Sequence, residues 1–227
     1  MTAEHLMKRY LTEAIGTFFL VFAIGMSVTS DLAAAPLAIG SMLMVMVYMG
    51  GHVSGAHYNP AVTVAVLMSG GMSSRDVVPY IGVQLLGAWL AAGTVYVITG
   101  ATFAPAPAID ARLGSALLAE VLVTFALVLV ILNVATAEAT KGNSYYGLAI
   151  GFTVAAGAWT VGPVSGGAFN PAVGIGPIMV DSLSGVGGFG NLWLYLVGPL
   201  IGSIAAVPVF KIQTAVADDR AVQPDVS

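Results

Sequence analysis

The chain has 227 residues, 58% of them hydrophobic and only 8% charged, where a soluble globular domain carries about 25% charged residues, so the composition points to a lipid bilayer as solvent. The formal net charge of −4 comes from residues at the ends of apolar segments and in the C-terminal tail, and no basic stripe suggests binding of nucleic acid. Cysteine is absent, which excludes disulfides, thiolate nucleophiles, cysteine-ligated zinc and iron–sulfur clusters.

In chain order, a short polar start leads into the apolar segment 10–30, which has no small-residue cleavage site and is expected to be a retained span rather than a removed signal peptide. Five further stretches approach the roughly 20 apolar residues that a helix needs to cross a bilayer core: 36–51, 78–99, 115–135, 144–161 and 192–210, the first and fourth of these being short. Two apolar stretches, 59–68 and 170–180, are too short to cross and are candidate half-helices entering from opposite sides. At about 1.5 Å per residue, ten residues reach about 15 Å, half the hydrocarbon thickness. With the N-terminus in the cytoplasm, Lys8, Arg9, Arg75, Lys141, Lys211 and Arg220 fall inside and only Arg112 outside, which predicts that both termini are cytoplasmic. The tail 212–227, with Asp218, Asp219 and Asp225, is expected to be a short, solvated, mobile cytoplasmic segment.

The two halves of the chain, 1–105 and 106–211, repeat each other within a single membrane domain. Glu13-x-x-x-Thr17-Phe18 matches Glu120-x-x-x-Thr124-Phe125, and Val53-Ser54-Gly55-x-x-x-Asn59-Pro60-Ala61-Val62 matches Val164-Ser165-Gly166-x-x-x-Asn170-Pro171-Ala172-Val173. Tyr80 and Gly87 match Tyr195 and Gly202. The offsets (107 for Glu13 to Glu120, 111 for Asn59 to Asn170, 115 for Tyr80 to Tyr195) grow in order along the chain, as chance matches would not. Each half holds three full spans, an odd number, so the second enters the membrane inverted. Inverted repeats place their site near the midplane, where half-helices meet.

Asn is a favoured N-cap and Pro suits the first helical position, so Asn59-Pro60-Ala61 and Asn170-Pro171-Ala172 each read as a helix start. If each Asn oxygen caps its helix, the amide NH₂ groups are left to donate outward, two donors facing each other at mid-membrane. The half-helix N-termini aim positive dipole ends at the same point and oppose cations. Irregular backbone at that depth needs protein partners, and the buried carboxylates Glu13 and Glu120 are suited to accept its N–H groups. A proton relay is the functional alternative for these acids; their matched positions in both repeats favour a structural brace. Gln84 is expected to be a buried hydrogen-bonding group of the same kind. Gly147-x-x-x-Gly151 and Gly198-x-x-x-Gly202 permit close helix approach, and Met42, Met44 and Met46 are expected to pack or face lipid. His57 is expected to line the inner half of a pore or to pin its loop, and His52 to be a satisfied loop histidine rather than a pH gate. The three histidines lack metal-ligand spacing, and Thr160, Ser165 and the other hydroxyls have no His–Asp base arrangement. No metal, cofactor or catalytic site is implied, and the chain is not expected to be an enzyme.

Over nearly its whole length the chain resembles the aquaporin and aquaglyceroporin family. The segments 54–63 and 165–172 look like its two signature loops, and the Glu-x-x-x-Thr-Phe pairs, Gln84 and Gly198-Pro199 also fit. The resemblance implies an all-α membrane protein: six transmembrane helices plus two re-entrant half-helices in an inverted repeat. It further implies a homotetramer in the lipid of a plasma (inner) membrane, with a pore for water or small neutral solutes in each subunit. It also implies an outer constriction at four positions, which map by spacing from the two Asn residues to Ile39, Ala158, Gly167 and Val173. Most relatives carry an Arg where this chain has Val173, and water-selective members commonly have an aromatic and a His where it has Ile39 and Ala158. An Arg supplies fixed donors and a permanent charge and Val neither, so a wider, apolar constriction is expected, open to ammonia, urea or neutral metalloid (arsenic) acids as well as water. Glycerol is a weaker candidate, because the Asp that usually follows the second signature is absent from Val173-Gly174-Ile175-Gly176-Pro177. A coupled transporter would show flux dependent on sodium or pH, and a non-conducting scaffold no flux at all.

Overall fold

The computed structural model describes residues 3–221; the side chains of 216–221 and all of 222–227, and with them most of the expected solvated tail, lie outside the described residues. The helices are α1 (Ala3–Thr29), α2 (Ala35–Ser54), α3 (Pro60–Ser69), α4 (Ser74–Thr99), α5 (Leu113–Ile131, continued by a single π turn, Leu132–Thr136), α6 (Tyr146–Ser165), α7 (Pro171–Leu183) and α8 (Leu192–Ala221). Six of them are long and apolar enough to cross a membrane, and α3 and α7 are the two short apolar helices between them.

All eight sequence-predicted apolar segments are helical, but several reach further than hydropathy alone indicates. Helix α1 begins seven residues before the apolar run, in a polar turn where Lys8 pairs with Glu4 at 2.6 Å, one turn apart. The tail was expected to leave the helix after Lys211, yet α8 continues to Ala221. A bilayer selects apolar residues only within its own thickness, so composition marks the span and not the helix ends in water. The two short spans each run on by about one further turn. Helices α2 and α6 run on to Ser54 and Ser165 and stop where Gly55 (φ 91°) and Gly166 (φ 90°) take the left-handed conformation that glycine adopts without cost.

The helices pack in pairs that repeat between the halves: α1 on α4 and α5 on α8, with α2 against α6 across the repeat. Lipid tails are as apolar as leucine, so close packing rather than the hydrophobic effect holds such pairs, and small residues permit it. Gly40 and Gly151, equivalent in the two halves, sit face to face where α2 crosses α6: a Cβ on Gly40 would lie 2.5 Å from the Gly151 carbonyl oxygen, and one on Gly151 would fall on the Gly40 carbonyl. Gly147, one turn before, abuts Met44 and Tyr48, so this pair of glycines does serve a close helix crossing. Gly198 and Gly202 do the same for α8 against α5, and Gly87 for α4 against the Ala14 carbonyl of α1.

Candidate functional site: a lumen through paired half-helices

Each half-helix begins as its sequence dictates. Asn59 lies in the extended region (φ −157°, ψ 119°), and its side-chain oxygen accepts the Ala61 N–H at 2.9 Å; Asn170 (φ −160°, ψ 117°) accepts from Ala172 at 2.9 Å. Pro60 and Pro171 occupy the first helical position, where a missing N–H costs nothing. The two starts meet. The Asn59 amide donates to the Phe169 carbonyl (3.0 Å) and the Asn170 amide to the Tyr58 carbonyl (2.9 Å), a reciprocal pair stitching one loop to the other. This amends the expectation that both NH₂ groups point wholly outward. An amide nitrogen carries two hydrogens, so one donor per Asn ties the loops together and one remains.

The loops themselves are irregular. Ala56 (φ 51°), Tyr58 (φ 49°) and Phe169 (φ 51°) hold left-handed backbone without being glycine, and Gly167 (φ 65°) stands where the first repeat has Ala56. Such conformations persist only when the surroundings over-determine them. Here the surroundings are the two carboxylates. Glu13, fully buried in α1, accepts the Ser54 hydroxyl (2.7 Å), the His57 N–H (2.9 Å), the Tyr58 N–H (2.8 Å) and Gln84 Nε2 (2.9 Å). Glu120, equally buried in α5, accepts the Ser165 hydroxyl (2.7 Å), the Ala168 N–H (3.1 Å) and the Phe169 N–H (2.7 Å). Tyr80 and Tyr195 donate their hydroxyls to the Ser54 and Ser165 carbonyls at 2.8 and 2.5 Å, finishing the two cradles alike.

The symmetry then fails in one respect. Gln84 also donates to the Thr63 hydroxyl (2.9 Å), which faces His57 Nδ1 (3.1 Å), and Ser203 of α8 donates to the Ala61 carbonyl (2.5 Å). At the matching places α7 has Gly174, packed against the Tyr195 ring, and α8 has Pro199. Polar side chains therefore pin the first turn of α3, whereas close packing holds the first turn of α7.

A single cavity of about 190 Å³ runs past this waist, with Asn59, Asn170 and His57 on its wall. Ile39, Ala158, Gly167 and Val173, the positions to which the family resemblance maps the outer constriction, all line it. Val173 is 3% exposed and Ile39 8%, so both are wall residues with little freedom. Gly166 and Gly167 offer only peptide, and the remaining wall is mostly aliphatic, including Leu20, Leu43, Leu127 and Val154. No charged side chain lines the cavity among the described residues. His57 is among the residues lining the cavity, its backbone N–H donates to Glu13 and its Nδ1 faces the Thr63 hydroxyl. His52, expected in a loop, lies instead in the last turn of α2, exposed and not among the residues lining the cavity. Gln84, Glu13 and Glu120 lie behind it as supports. No group of three or more metal-ligating side chains occurs among the described residues.

This architecture has known counterparts. The sequence matches the model of the major intrinsic protein family over residues 1–210. The chain belongs to the major intrinsic protein family. It is 37% identical over 217 residues to aquaporin NIP1-1 of Zea mays, covering 91% of this chain and 74% of that one. Similarity to aquaporin AqpM of Methanothermobacter thermautotrophicus is 35% over 248 residues, covering 92% and 98%. Its structure is similar to the X-ray structure of the aquaglyceroporin from Plasmodium falciparum, with a TM-score of 0.83 at 24% identity over 94% of this chain and 99% of that one, a likeness that shows the fold. As a major intrinsic protein it is an integral multi-pass membrane protein and a passive channel, in a family of channels rather than of enzymes.

The sequence left some of the site unassigned. Ser54, Ser165, Tyr80 and Tyr195 were visible only as repeated residues, and their appearance in both halves was the available signal. Thr63 and Ser203 carried no signal, because neither has a hydroxyl counterpart in the other repeat.

Proposed function

We propose that this major intrinsic protein passes water and small uncharged solutes through one lumen per subunit, past an outer constriction made by Ile39, Ala158, Gly167 and Val173. The supporting observation is the wall itself: a lumen with no charged side chain, whose polar side chains gather around the paired Asn residues. At that waist each Asn keeps one amide hydrogen for a passing solute. The two half-helix N-termini converge there with their positive dipole ends, so the waist disfavours a cation without any charged residue.

At the constriction, three aliphatic or methyl side chains and one glycine leave a solute only peptide groups to hydrogen-bond with. That lowers the selectivity for water over urea, ammonia and neutral metalloid acids, since a permanent guanidinium no longer narrows or polarises the opening. Glu13 accepts four hydrogen bonds and Glu120 three, all from neutral donors, and neither lines the lumen, which argues against a coupled transporter loading on them. The basic residues Lys8, Arg9, Arg75 and Lys141 lie towards one end of the bundle and Arg112 towards the other, which supports cytoplasmic termini in a plasma membrane. A homotetramer accords with the family.

The test is Val173→Arg in proteoliposomes, followed by stopped-flow light scattering. The guanidinium is expected to lower urea permeability at least tenfold while water permeability stays within about threefold, a discrimination of at least about threefold, or roughly 0.7 kcal/mol. Equal loss of both, or of neither, would contradict the assignment of Val173 to the constriction.

A further inference from the structure

A second cavity, of about 510 Å³, lies at the end of the bundle that carries Arg112. The end of α1, the α4–α5 connection, the end of α7 and the segment before α8 enclose it. Val28 lines both this cavity and the lumen, so the two adjoin at that residue. Its wall combines apolar side chains, Phe103, Pro105, Ile178 and Val186, with the polar Thr29, Thr102, Asp181 and Asn191. Into it projects one carboxylate, Asp181, whose Oδ1 accepts the Thr102 hydroxyl at 2.5 Å. Asp181 forms no ion pair among the described residues. A carboxylate has about four acceptor positions, and Thr102 supplies a single neutral donor. Gly187 leaves room for the other oxygen: a Cβ at that position would fall on Asp181 Oδ2. Asn191, also on the wall, makes no side-chain hydrogen bond among the described residues. Asp31 and Asp110 lie in the connections at the same end, with Arg112 alone to oppose them, so this mouth carries a negative field.

Small-molecule sites are concave and mostly apolar, with a few placed polar groups that fix orientation. We propose that this outer cavity binds a small organic cation, a primary alkylammonium of about four carbons. The ammonium donates to Asp181 and to the Asn191 side-chain oxygen, and the alkyl chain lies against Phe103 and Ile178. Through Val28 the bound cation sits beside the mouth of the lumen and slows solute entry. The site does not rest on which solute the channel passes.

Calorimetric titration of the purified full-length protein with n-butylammonium, and with n-butanol as the uncharged control, tests this. Saturable binding of the ammonium and none of the alcohol is expected, weakened at least tenfold by Asp181→Asn and weakened also by 0.5 M salt. Asp181 takes no part in the lumen, so Asp181→Asn proteoliposomes keep wild-type water flux, which certifies the fold of that variant. Gly187→Ala, which pushes the carboxylate aside without removing its charge, is expected to weaken binding at least threefold. Absence of saturable heat with the wild type, equal affinity in Asp181→Asn, or binding of butanol as tight as that of butylammonium would overturn the proposal.

Discussion

Glu13→Leu is expected to abolish folding of the channel or, where protein survives, to abolish its flux of every solute. The side chain is fully buried and accepts four hydrogen bonds, from Ser54, His57, Tyr58 and Gln84. Leucine fills the volume and accepts none. A buried donor left unpaired costs roughly 1–3 kcal/mol, so four cost on the order of 8 kcal/mol, comparable with the whole stability of a typical domain. Inside a bilayer no water replaces the lost acceptor. The first loop would then abandon the left-handed conformations at Ala56 and Tyr58, and with them the Tyr58 carbonyl that receives Asn170. Glu13→Gln keeps one oxygen acceptor and is expected to be intermediate, with reduced thermal stability and reduced flux together. That outcome separates a brace from a proton relay: a relay residue replaced by glutamine would lose proton movement while water flux and melting temperature stayed at wild-type values.

The second large effect is expected at the crossing of α2 and α6. Gly40→Leu puts a side chain where a Cβ alone would meet the Gly151 carbonyl at 2.5 Å and the Ala155 Cβ at 2.7 Å. Backbone bounds the space on that side, so no side-chain rotation relieves the contact, and the helices must separate. Overpacking in a well-packed core costs typically 1–3 kcal/mol. The upper end applies against backbone, equivalent to a drop of about 10 °C in melting temperature for a chain of this size. The same two helices supply Ile39, Leu43, Ile150, Val154 and Ala158 to the lumen wall, so flux falls with stability. A thermal melt of the detergent-solubilised protein checks the first part and a stopped-flow trace the second. Gly82→Leu serves as the control, because nothing lies within 4 Å of a Cβ there.

The spans were legible because a bilayer demands long apolar runs, and the half-helices because each begins with an Asn-Pro that only a helix start explains. Glu13 and Glu120 were legible as braces because an acid buried in both repeats at the same depth has a common structural task. Helix ends were not legible: Lys8 and Glu4 extend α1 into water, and α8 passes Lys211 unbroken, since outside the membrane polar and apolar turns are equally helical. Nor was the mutual bonding of Asn59 and Asn170 through the Phe169 and Tyr58 carbonyls, which depends on how two distant loops approach. The family resemblance supplied the four constriction positions and spacing from the two Asn residues mapped them to Ile39, Ala158, Gly167 and Val173, which line one cavity. Neither gave a hint that Gly40 would face Gly151, or that a second cavity would form around Asp181, since both arise from segments far apart in the chain.

The most direct test of the central claim, an uncharged lumen with an apolar outer constriction, is a shrink-and-reswell experiment on wild-type proteoliposomes exposed to a gradient of urea. Fast shrinkage reports water leaving, and the reswelling that follows reports urea entering through the same protein. The structure predicts both phases well above those of protein-free vesicles, unchanged by sodium or by a pH gradient. Fast shrinkage with reswelling no faster than in empty vesicles would mean that the lumen is narrow after all and that Val173 does not set its width.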